Sequence, residues 1–466
     1  MYTNGPAGLE FPGDANYPGS SVANRRLNNF APRLGIAWDP RGDGRTSIRA
    51  AYGRFFDLAS LNNYIGFFQS PPFGNNTTVN FPVSFQNPWQ GVPGGNPYPL
   101  TISKTAPFIN FGSQENFLFD PKTTYSQQWN LSIQRQLGTD WLVSANYIGS
   151  STIHIWGGDQ VNPGVYIPGS CVINGVTTNP CSTAANVNFR RVQYLQNPVE
   201  GTKYGSISQL DAGGTASYNG LLLMIQHRTA KGFTVQGSYT WSHCIADLAN
   251  PELSVAGLNF EIPGNREFDR SNCVFGDRRH LFNLSAVYET PKFSNSTMRL
   301  LASGWQVSTI IRLQTGPYIT VTSGLDQALT GQTTYERVNQ VLADPYQPEK
   351  TANSYLNPKA FAQPALGTYG NISAGNILAP GAAYINAGVT RTFRIRERQS
   401  IQFRFEGFNI PNHVNLGPPN GLSGNGTAVS TAGFITSTAA FNNPNFGRIL
   451  SSDDPRILQG ALKFVF

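Results

Sequence analysis

The 466-residue sequence predicts an all-β protein, specifically an antiparallel transmembrane β-barrel. Three observations predict this class: a two-residue alternation of apolar and polar side chains, strands long enough to cross a bilayer, and connections that alternate between short and long. Only 13% of the residues are charged, whereas soluble proteins average about 25%. We therefore expect at least one surface of the folded chain to avoid water.

The segment 233–242 shows the alternation most clearly. Its odd positions include Phe233, Val235, Tyr239 and Trp241, and its even positions are all Thr, Gln or Ser. Because successive side chains of a strand point to opposite faces, one face is apolar and the other polar. The same pattern predicts eleven strands, at 33–40, 45–57, 124–138, 141–155, 217–229, 233–246, 279–290, 303–316, 384–395, 400–410 and 456–466. Several exceed the roughly 9–11 residues that a tilted membrane strand needs.

The connections between these strands predict their orientation. Short connections are expected at 41–44, 139–140, 230–232, 291–302 and 396–399, and long ones at 58–123, 156–216, 247–278, 317–383 and 411–455. Outer-membrane barrels have short periplasmic turns and long extracellular loops. On this assignment the last strand runs towards the periplasm and Phe466 ends it there.

The polar face of the predicted strands supplies a candidate lumen lining. It consists of Gln128, Asn130, Gln134, Gln236, Arg312, Gln402, Arg404 and Glu406. Arg391 and His227 break the alternation, because both fall on the apolar side. Aromatic residues near strand ends, such as Trp141 and Trp305, fit the girdles of a membrane barrel. Taken singly, they would fit the core of a soluble β-sandwich equally well.

The four cysteines are expected to form two disulfides in extracellular loops, because surface loops of secreted proteins lie in an oxidising compartment. Cys171 would pair with Cys181, and Cys244 with Cys273 across the two ends of one loop. The alternatives are free thiols for the first pair and a zinc site with His243 and His280 for the second.

The sequence predicts no catalytic constellation, no metal site and no cofactor, so we do not expect an enzyme. The formal net charge is +7, but the basic residues are spread along the chain without a run. Phosphate binding requires a clustered basic face, so nucleic-acid binding is not expected.

Several separated segments resemble the barrel of TonB-dependent outer-membrane receptors of the Oar-like branch. They are residues 29–40 (Asn-Phe-Ala-Pro-Arg-Leu-Gly-Ile-Ala-Trp-Asp-Pro), 46–57, 125–135, 276–285 (Gly-Asp-Arg-Arg-His-Leu-Phe-Asn-Leu-Ser) and 405–413 (Phe-Glu-Gly-Phe-Asn-Ile-Pro-Asn-His). The resemblance extends over nearly the whole chain. It implies a 22-stranded barrel around an N-terminal plug. Residues 1–466 would supply about eleven strands from the C-terminal half, without plug or signal peptide.

The resemblance also implies function, location and partners. The chain would belong to a transporter or receptor in the outer membrane of a Gram-negative bacterium, taking up or exporting an unknown substrate. Its partners would be outer-membrane lipid and the barrel assembly machinery, with TonB reached only through the plug. Phe464 and Phe466 in the last strand would form the assembly signal.

Two other functions fit the composition: a surface structural or adhesive protein anchored by the same barrel, and a soluble secreted β-sandwich. Eleven strands alone would leave two unpaired edges in hydrocarbon, where each unsatisfied backbone group costs several kcal/mol. We therefore expect that the chain does not form a closed transporter alone. The alternative is a twelfth strand, hidden in residues 1–32 or in a long loop, that closes a smaller barrel.

Overall fold

The computed structural model describes most of the chain. The described residues are 2–19, 23–57, 70–74, 84–90, 96, 98–99, 103–106, 108–173, 175–228, 232–247, 260–274, 276–332, 336–396, 399–419 and 440–466. Most of the predicted connection 230–232, and parts of 58–123, 156–216, 247–278, 317–383, 396–399 and 411–455, lie outside them.

Eleven long strands, β1 to β11, form one antiparallel sheet in chain order. They are Arg33–Trp38, Thr46–Phe56, Tyr125–Leu137, Trp141–Gln160, Ile207–His227, Phe233–Ala246, His280–Glu289, Trp305–Gln314, Ala382–Arg396, Gln399–Phe408 and Ile457–Val465. Each corresponds to one of the predicted strands, so the period-two alternation identified them correctly.

The predicted bounds of β4 and β5 are too short. The structure extends β4 to Gln160 and begins β5 at Ile207. The pairing passes through bulges near Ile155, where His154 adopts a positive φ of 61°. The extension is rich in glycine and interrupted by bulges, so it lacks the simple alternation that marks a membrane strand. The two strands therefore continue as a hairpin beyond the bilayer-length region.

The sheet is open in the part of the chain that the structure describes. β1 pairs only with β2, and β11 only with β10. Residues 2–19 and 23–32 contribute no strand, so the described part of that segment does not hold the twelfth strand considered above. With eleven antiparallel strands, β1 and β11 run in the same direction. Antiparallel closure therefore requires an odd number of further strands.

The described connections at the periplasmic end of the sheet are short. In the turn 39–45, the Asp39 carboxylate accepts the backbone N–H groups of Arg41 and Gly44 at 3.2 and 2.7 Å. Gly42 and Gly44 have positive φ values of 68° and 70°, which glycine adopts without strain. The predicted turn 291–302 differs, because it contains a helix, Ser296–Ala302.

The long connections fold into a structure of their own, which we call the loop cap (the described residues of 161–206, 260–278, 317–381, 411–419 and 440–456). Its helical segments are Val187–Arg190, Val192–Gln196, Pro198–Gly201, Arg266–Asp269 and Pro358–Ala360. Its short strands are Cys171–Ile173, Val176–Thr178, Ser271–Asn272, Tyr318–Ile319, Asn339–Gln340, Tyr346–Thr351, Ser354–Leu356, Phe361–Ala362 and Ile377–Leu378. The strand Gln114–Asn116 pairs with β5 beside it.

A hydrophobic core holds the loop cap together. It includes Ile319, Val338, Leu356, Ile377 and Ile449, all buried. These residues come from two connections that are widely separated in sequence. The largest buried apolar cluster of the described chain thus lies outside the eleven-stranded sheet.

In the described part of the chain, no helix is long and apolar enough to span a membrane.

Two glycines on the apolar face of the sheet differ in the space that they leave for a larger side chain. Gly149 lies directly opposite Trp129, whose indole occupies the space that a Cβ would need. Gly460 has nothing within 4 Å of its Cβ position. We expect Gly149→Val to lower the stability of the sheet by about 1–3 kcal/mol, because it overpacks this contact. Gly460→Ala, the control, should change it little. The midpoint of urea-induced unfolding in lipid bilayers, followed by the circular dichroism of the β-sheet, measures both, and equal midpoints would contradict this packing.

Candidate functional site: a polar wall and its loop cap

The strand register places all eight predicted lumen residues on one face of the sheet. Directly opposite residues of antiparallel strands share a face. One row runs through Gln134, Ser144, Met224, Ser238, Asn283 and Arg312, and Arg312 lies opposite Tyr384. Side chains two residues apart on a strand also share a face, so this face includes Asn130 and Gln128 on β3 and Gln236 on β6. On β9 the same steps lead from Tyr384 to Gly388, which lies opposite Glu406, and Arg404 and Gln402 follow on β10. The polar face is continuous across the sheet.

This polar face carries more positive than negative charge. On the described strands its cationic residues are Arg33, Arg49, Arg312, Arg394, Arg404 and Lys463, and its acidic residues are Glu289 and Glu406. The other members are mainly Ser, Thr, Asn, Gln and small residues, with apolar exceptions such as Ile148 and Ile310. Glu406 accepts a hydrogen bond from Gln459 at 2.6 Å across to β11.

The opposite face is apolar and remains uncovered. Trp241, Leu462 and Phe464, for example, keep more than half of their surface exposed. A soluble protein rarely exposes a contiguous apolar surface of this extent, whereas the hydrocarbon of a bilayer covers it favourably. This face is therefore the lipid-facing side of the sheet.

Two of the residues that break the alternation, His227 and Arg391, lie towards the periplasmic ends of their strands. His227 ends β5, its Nδ1 lies 2.9 Å from the Phe233 carbonyl oxygen, and its ring is 4.5 Å from that of Trp141. Arg391 stacks on the rings of Trp305 and Phe393 at 5.2 and 4.4 Å. Aromatic belts and basic side chains are typical of the membrane interface, so neither residue places an unpaired charge in mid-membrane.

The structure joins the cysteines in the two pairs that the sequence predicts. The Cα atoms are 5.1 Å apart for Cys171–Cys181 and 5.4 Å apart for Cys244–Cys273, within the usual range of a disulfide. The alternative zinc site is absent from the described residues, which hold no group of three metal-ligating side chains. Instead His243 Nδ1 lies 3.2 Å from an Asp277 oxygen, and His280 Nδ1 lies 2.8 Å from the Tyr239 hydroxyl.

A cavity of about 200 Å³ opens at the extracellular end of the sheet. Its wall combines aromatic rings with two glutamates, Glu10 and Glu115. Burial raises the pKa of Glu115 to about 7, so its carboxyl holds a proton more readily than an exposed glutamate does. The mixture of apolar surface and a few polar groups is typical of a ligand pocket. Sequence analysis missed this site, because its residues come from segments far apart in the chain.

Inside the loop cap, Arg337 holds two connections together. Its Nε forms an ion pair with Glu261, 2.8 Å from a carboxylate oxygen, its Nη1 donates a hydrogen bond to Asp269 at 2.6 Å, and the guanidinium stacks on Phe268 at 4.1 Å. All three charged side chains are buried, so removing one partner would leave an uncompensated charge. The cluster therefore fixes the 260–274 segment on the 336–340 segment.

Glu336, next in the chain to Arg337, is buried beside Asp326. One of its oxygens accepts the N–H groups of Gln327 and Ala328 at 2.5 and 3.2 Å. Its other oxygen, Oε1, is buried without a donor. Burial, with the adjacent Asp326 carboxyl, raises the pKa of Glu336 to about 8. A protonated Glu336 avoids burying a second negative charge beside Asp326.

The two terminal aromatic residues proposed as an assembly signal lie together at the end of β11. Phe464 pairs with Ile401 on the lipid-facing side. The rings of Phe464 and Phe466 are stacked with centroids 6.0 Å apart, and Phe466 is 90% exposed.

A family model described as an outer membrane beta barrel domain matches residues 1–459. The chain belongs to this family. It is an outer-membrane β-barrel protein of the Gram-negative type, which excludes the soluble β-sandwich. No curated protein matches the chain.

Solved structures similar to this outer-membrane β-barrel include the outer membrane transporter YddB from Escherichia coli. That comparison has 10% identity, a TM-score of 0.47, and covers 97% of this chain and 42% of that one. The ferric enterobactin receptor PfeA from Pseudomonas aeruginosa has 9% identity and a TM-score of 0.40, and the comparison covers 94% of this chain and 40% of that one. The ferripyoverdine receptor of the Pseudomonas aeruginosa outer membrane has 11% identity and a TM-score of 0.39, and the comparison covers 95% of this chain and 34% of that one. The chain thus spans less than half the length of each.

The loop cap of this outer-membrane β-barrel should become less stable as the pH rises. Glu336 keeps its proton in the folded cap up to about pH 8 and releases it near pH 4.5 when unfolded. The folded state therefore binds more protons, and the free energy of unfolding falls between these values. Glu336→Gln should remove the contribution of Glu336 to this decline, whereas Glu349→Gln, at an exposed position of the cap, should not. The decline is measured from the amide hydrogen-exchange protection factors of Gln327 and Ala328 as a function of pH. An unchanged slope in Glu336→Gln would show that Glu336 is not protonated in the folded cap.

Proposed function

We propose that this chain forms part of the wall of a solute pathway in a TonB-dependent outer-membrane transporter. The observation that carries the proposal is the polar face that continues across all eleven strands, opposite a face suited to lipid. A barrel used only as an anchor needs the lipid-facing surface but has no need of a continuous polar interior. The eight residues predicted from sequence would line this interior.

The charge of the polar face indicates the kind of solute. Cationic residues outnumber acidic ones on the described strands, and Arg312 and Arg404 are among them. A passage lined by one sign of charge raises the local concentration of ions of the opposite sign. We therefore propose that the pathway favours anionic solutes, taken up or exported through the barrel.

The loop cap would serve as the capture surface. It has its own hydrophobic core, a buried Arg337 cluster and the Cys171–Cys181 disulfide, so it can hold binding groups in fixed positions. The cavity near Glu115 offers a place for a ligand before it enters the barrel. We propose no catalytic activity for either region.

The partners proposed from sequence complete this function. Outer-membrane lipid would cover the apolar face, and the barrel assembly machinery would recognise the last strand through Phe464 and Phe466. TonB would act through a plug domain rather than through the residues described here.

A surface structural or adhesive role is the second candidate. It is favoured by the cap, which is a folded body at the extracellular end rather than a set of bare loops. An adhesin would use the cap alone, so solute passage along the polar face distinguishes the two functions.

Two adjacent residues of one strand, at nearly equal depth, test the pathway. Gln236 belongs to the polar face and Val235 to the lipid-facing one. In isolated outer membranes, we expect a bulky, membrane-impermeant maleimide to react with the Gln236→Cys variant, because its thiol faces water. The Val235→Cys variant, the matched control, should react poorly. Mass spectrometry measures the extent of labelling.

The same membranes test the passage of solute. Labelling of the Gln236→Cys variant should slow the entry of a small anionic dye into outer-membrane vesicles. The same maleimide treatment should not change the rate of dye entry into vesicles that contain the Val235→Cys variant. Equal reactivity of the two thiols would disprove the assignment of the faces. Dye entry no faster than in vesicles lacking the protein would contradict the transport proposal and favour the adhesin.

A further inference from the structure

The helix Ser296–Ala302, which we call the rim helix, lies between β7 and β8 at the periplasmic end of the sheet. The Asn295 side chain accepts the N–H groups of Thr297 and Met298 at 2.9 and 3.1 Å and so begins the helix. Gly304, with a positive φ of 73°, follows its end and returns the chain to β8.

Side chains of the lipid-facing surface hold the rim helix in place. Arg391 donates hydrogen bonds to the carbonyl oxygens of Leu301, at 3.0 Å, and of Leu300. The indole Nε1 of Trp305 donates to the same Leu301 oxygen at 2.7 Å. Trp305 and Arg391 lie directly opposite each other on β8 and β9, and Arg391 lies opposite Phe403. The helix is therefore attached to the outside of the sheet, not to its polar side.

The rim helix exposes apolar side chains to its surroundings. Met298, Leu300 and Leu301 are 49%, 67% and 64% exposed. Met298 and Leu301 are three residues apart, so they are neighbours on one side of the helix. The end of the helix that carries Leu300 and Leu301 is hydrogen-bonded to Trp305 and Arg391, so these side chains lie beside the exposed lipid-facing surface of β8 and β9.

We propose that the rim helix lies in the periplasmic leaflet of the outer membrane, with Met298 and Leu301 at the boundary between headgroups and acyl chains. Its occupant is lipid, because the apolar area it extends is the bilayer-facing surface itself. Short helices with apolar side chains on one side and basic residues nearby bind at this depth. Arg299 and Arg391 supply positive charge for anionic headgroups, and Trp305 is a residue type enriched at the interface.

Arg391 is the residue that positions the helix. Its guanidinium stacks on Trp305 and Phe393 and bonds to the carbonyl groups at the helix C-terminus, where a cation also interacts favourably with the helix dipole. The apparent exception in the alternation thus joins the rim helix to the strand.

Spin labelling tests this placement in the full chain reconstituted in lipid nanodiscs. A nitroxide on a Leu301→Cys variant should collide several-fold more often with oxygen, which concentrates in lipid, than with a water-soluble nickel complex. The matched control is a nitroxide on an Asp140→Cys variant, in the exposed turn between β3 and β4, which should show the reverse preference. Adding Arg391→Gln to Leu301→Cys should shift the label towards water, and an unchanged β-sheet circular-dichroism spectrum confirms that this double variant is folded.

A Leu301 label as accessible to nickel as the Asp140 label would overturn the lipid placement. If the Leu301 label is in lipid but Arg391→Gln leaves it there, the positioning role of Arg391 is wrong. Neither outcome depends on whether the protein transports a solute, because both measure only the depth of the helix.

Discussion

The structure depends on one constraint: within hydrocarbon, every backbone N–H and C=O group must find its hydrogen-bond partner inside the protein. The eleven-stranded sheet meets it between neighbouring strands, through registers such as Thr46–Phe56 with Tyr125–Leu137. Among the described residues, no strand pairs with the outer edge of β1 or of β11, and these two strands run in the same direction. A barrel built on this sheet is therefore closed by an odd number of additional antiparallel strands, which matches the even strand number of outer-membrane barrels.

The same environment sorts the side chains. Each strand has one lipid face and one polar face, so charged residues such as Arg312 and Arg404 lie on the side away from lipid. Basic residues on the lipid-facing side, such as Arg54, Arg391 and His227, lie towards the strand ends, where aromatic rings or backbone carbonyls contact them. The cap lies outside this constraint. It is stabilised as a soluble domain is, by a hydrophobic core, the Arg337 ion cluster and two disulfides at or within it.

Periodicity explains how much of this could be predicted from sequence. The eleven strands and the shared face of the eight polar residues follow from an alternation that the bilayer imposes locally. The loop cap could not be predicted, because its contacts join distant residues: Arg337 bonds to Asp269 and Glu261, which lie 68 and 76 positions away. The rim helix lies within the predicted turn 291–302, and it could not be predicted because seven residues are too few to show a helical period. The bulged extensions of β4 and β5 were missed because they obey no simple alternation.

The central claim is that the sheet spans the bilayer with its strands tilted from the membrane normal. Polarised infrared spectroscopy of the full chain in aligned lipid bilayers tests it most directly, because the dichroism of the amide I band reports strand orientation. The account predicts an antiparallel β spectrum with strands tilted about 35–45° from the membrane normal. Strands lying parallel to the membrane plane, or dichroism that disappears when the bilayers are washed, would contradict it.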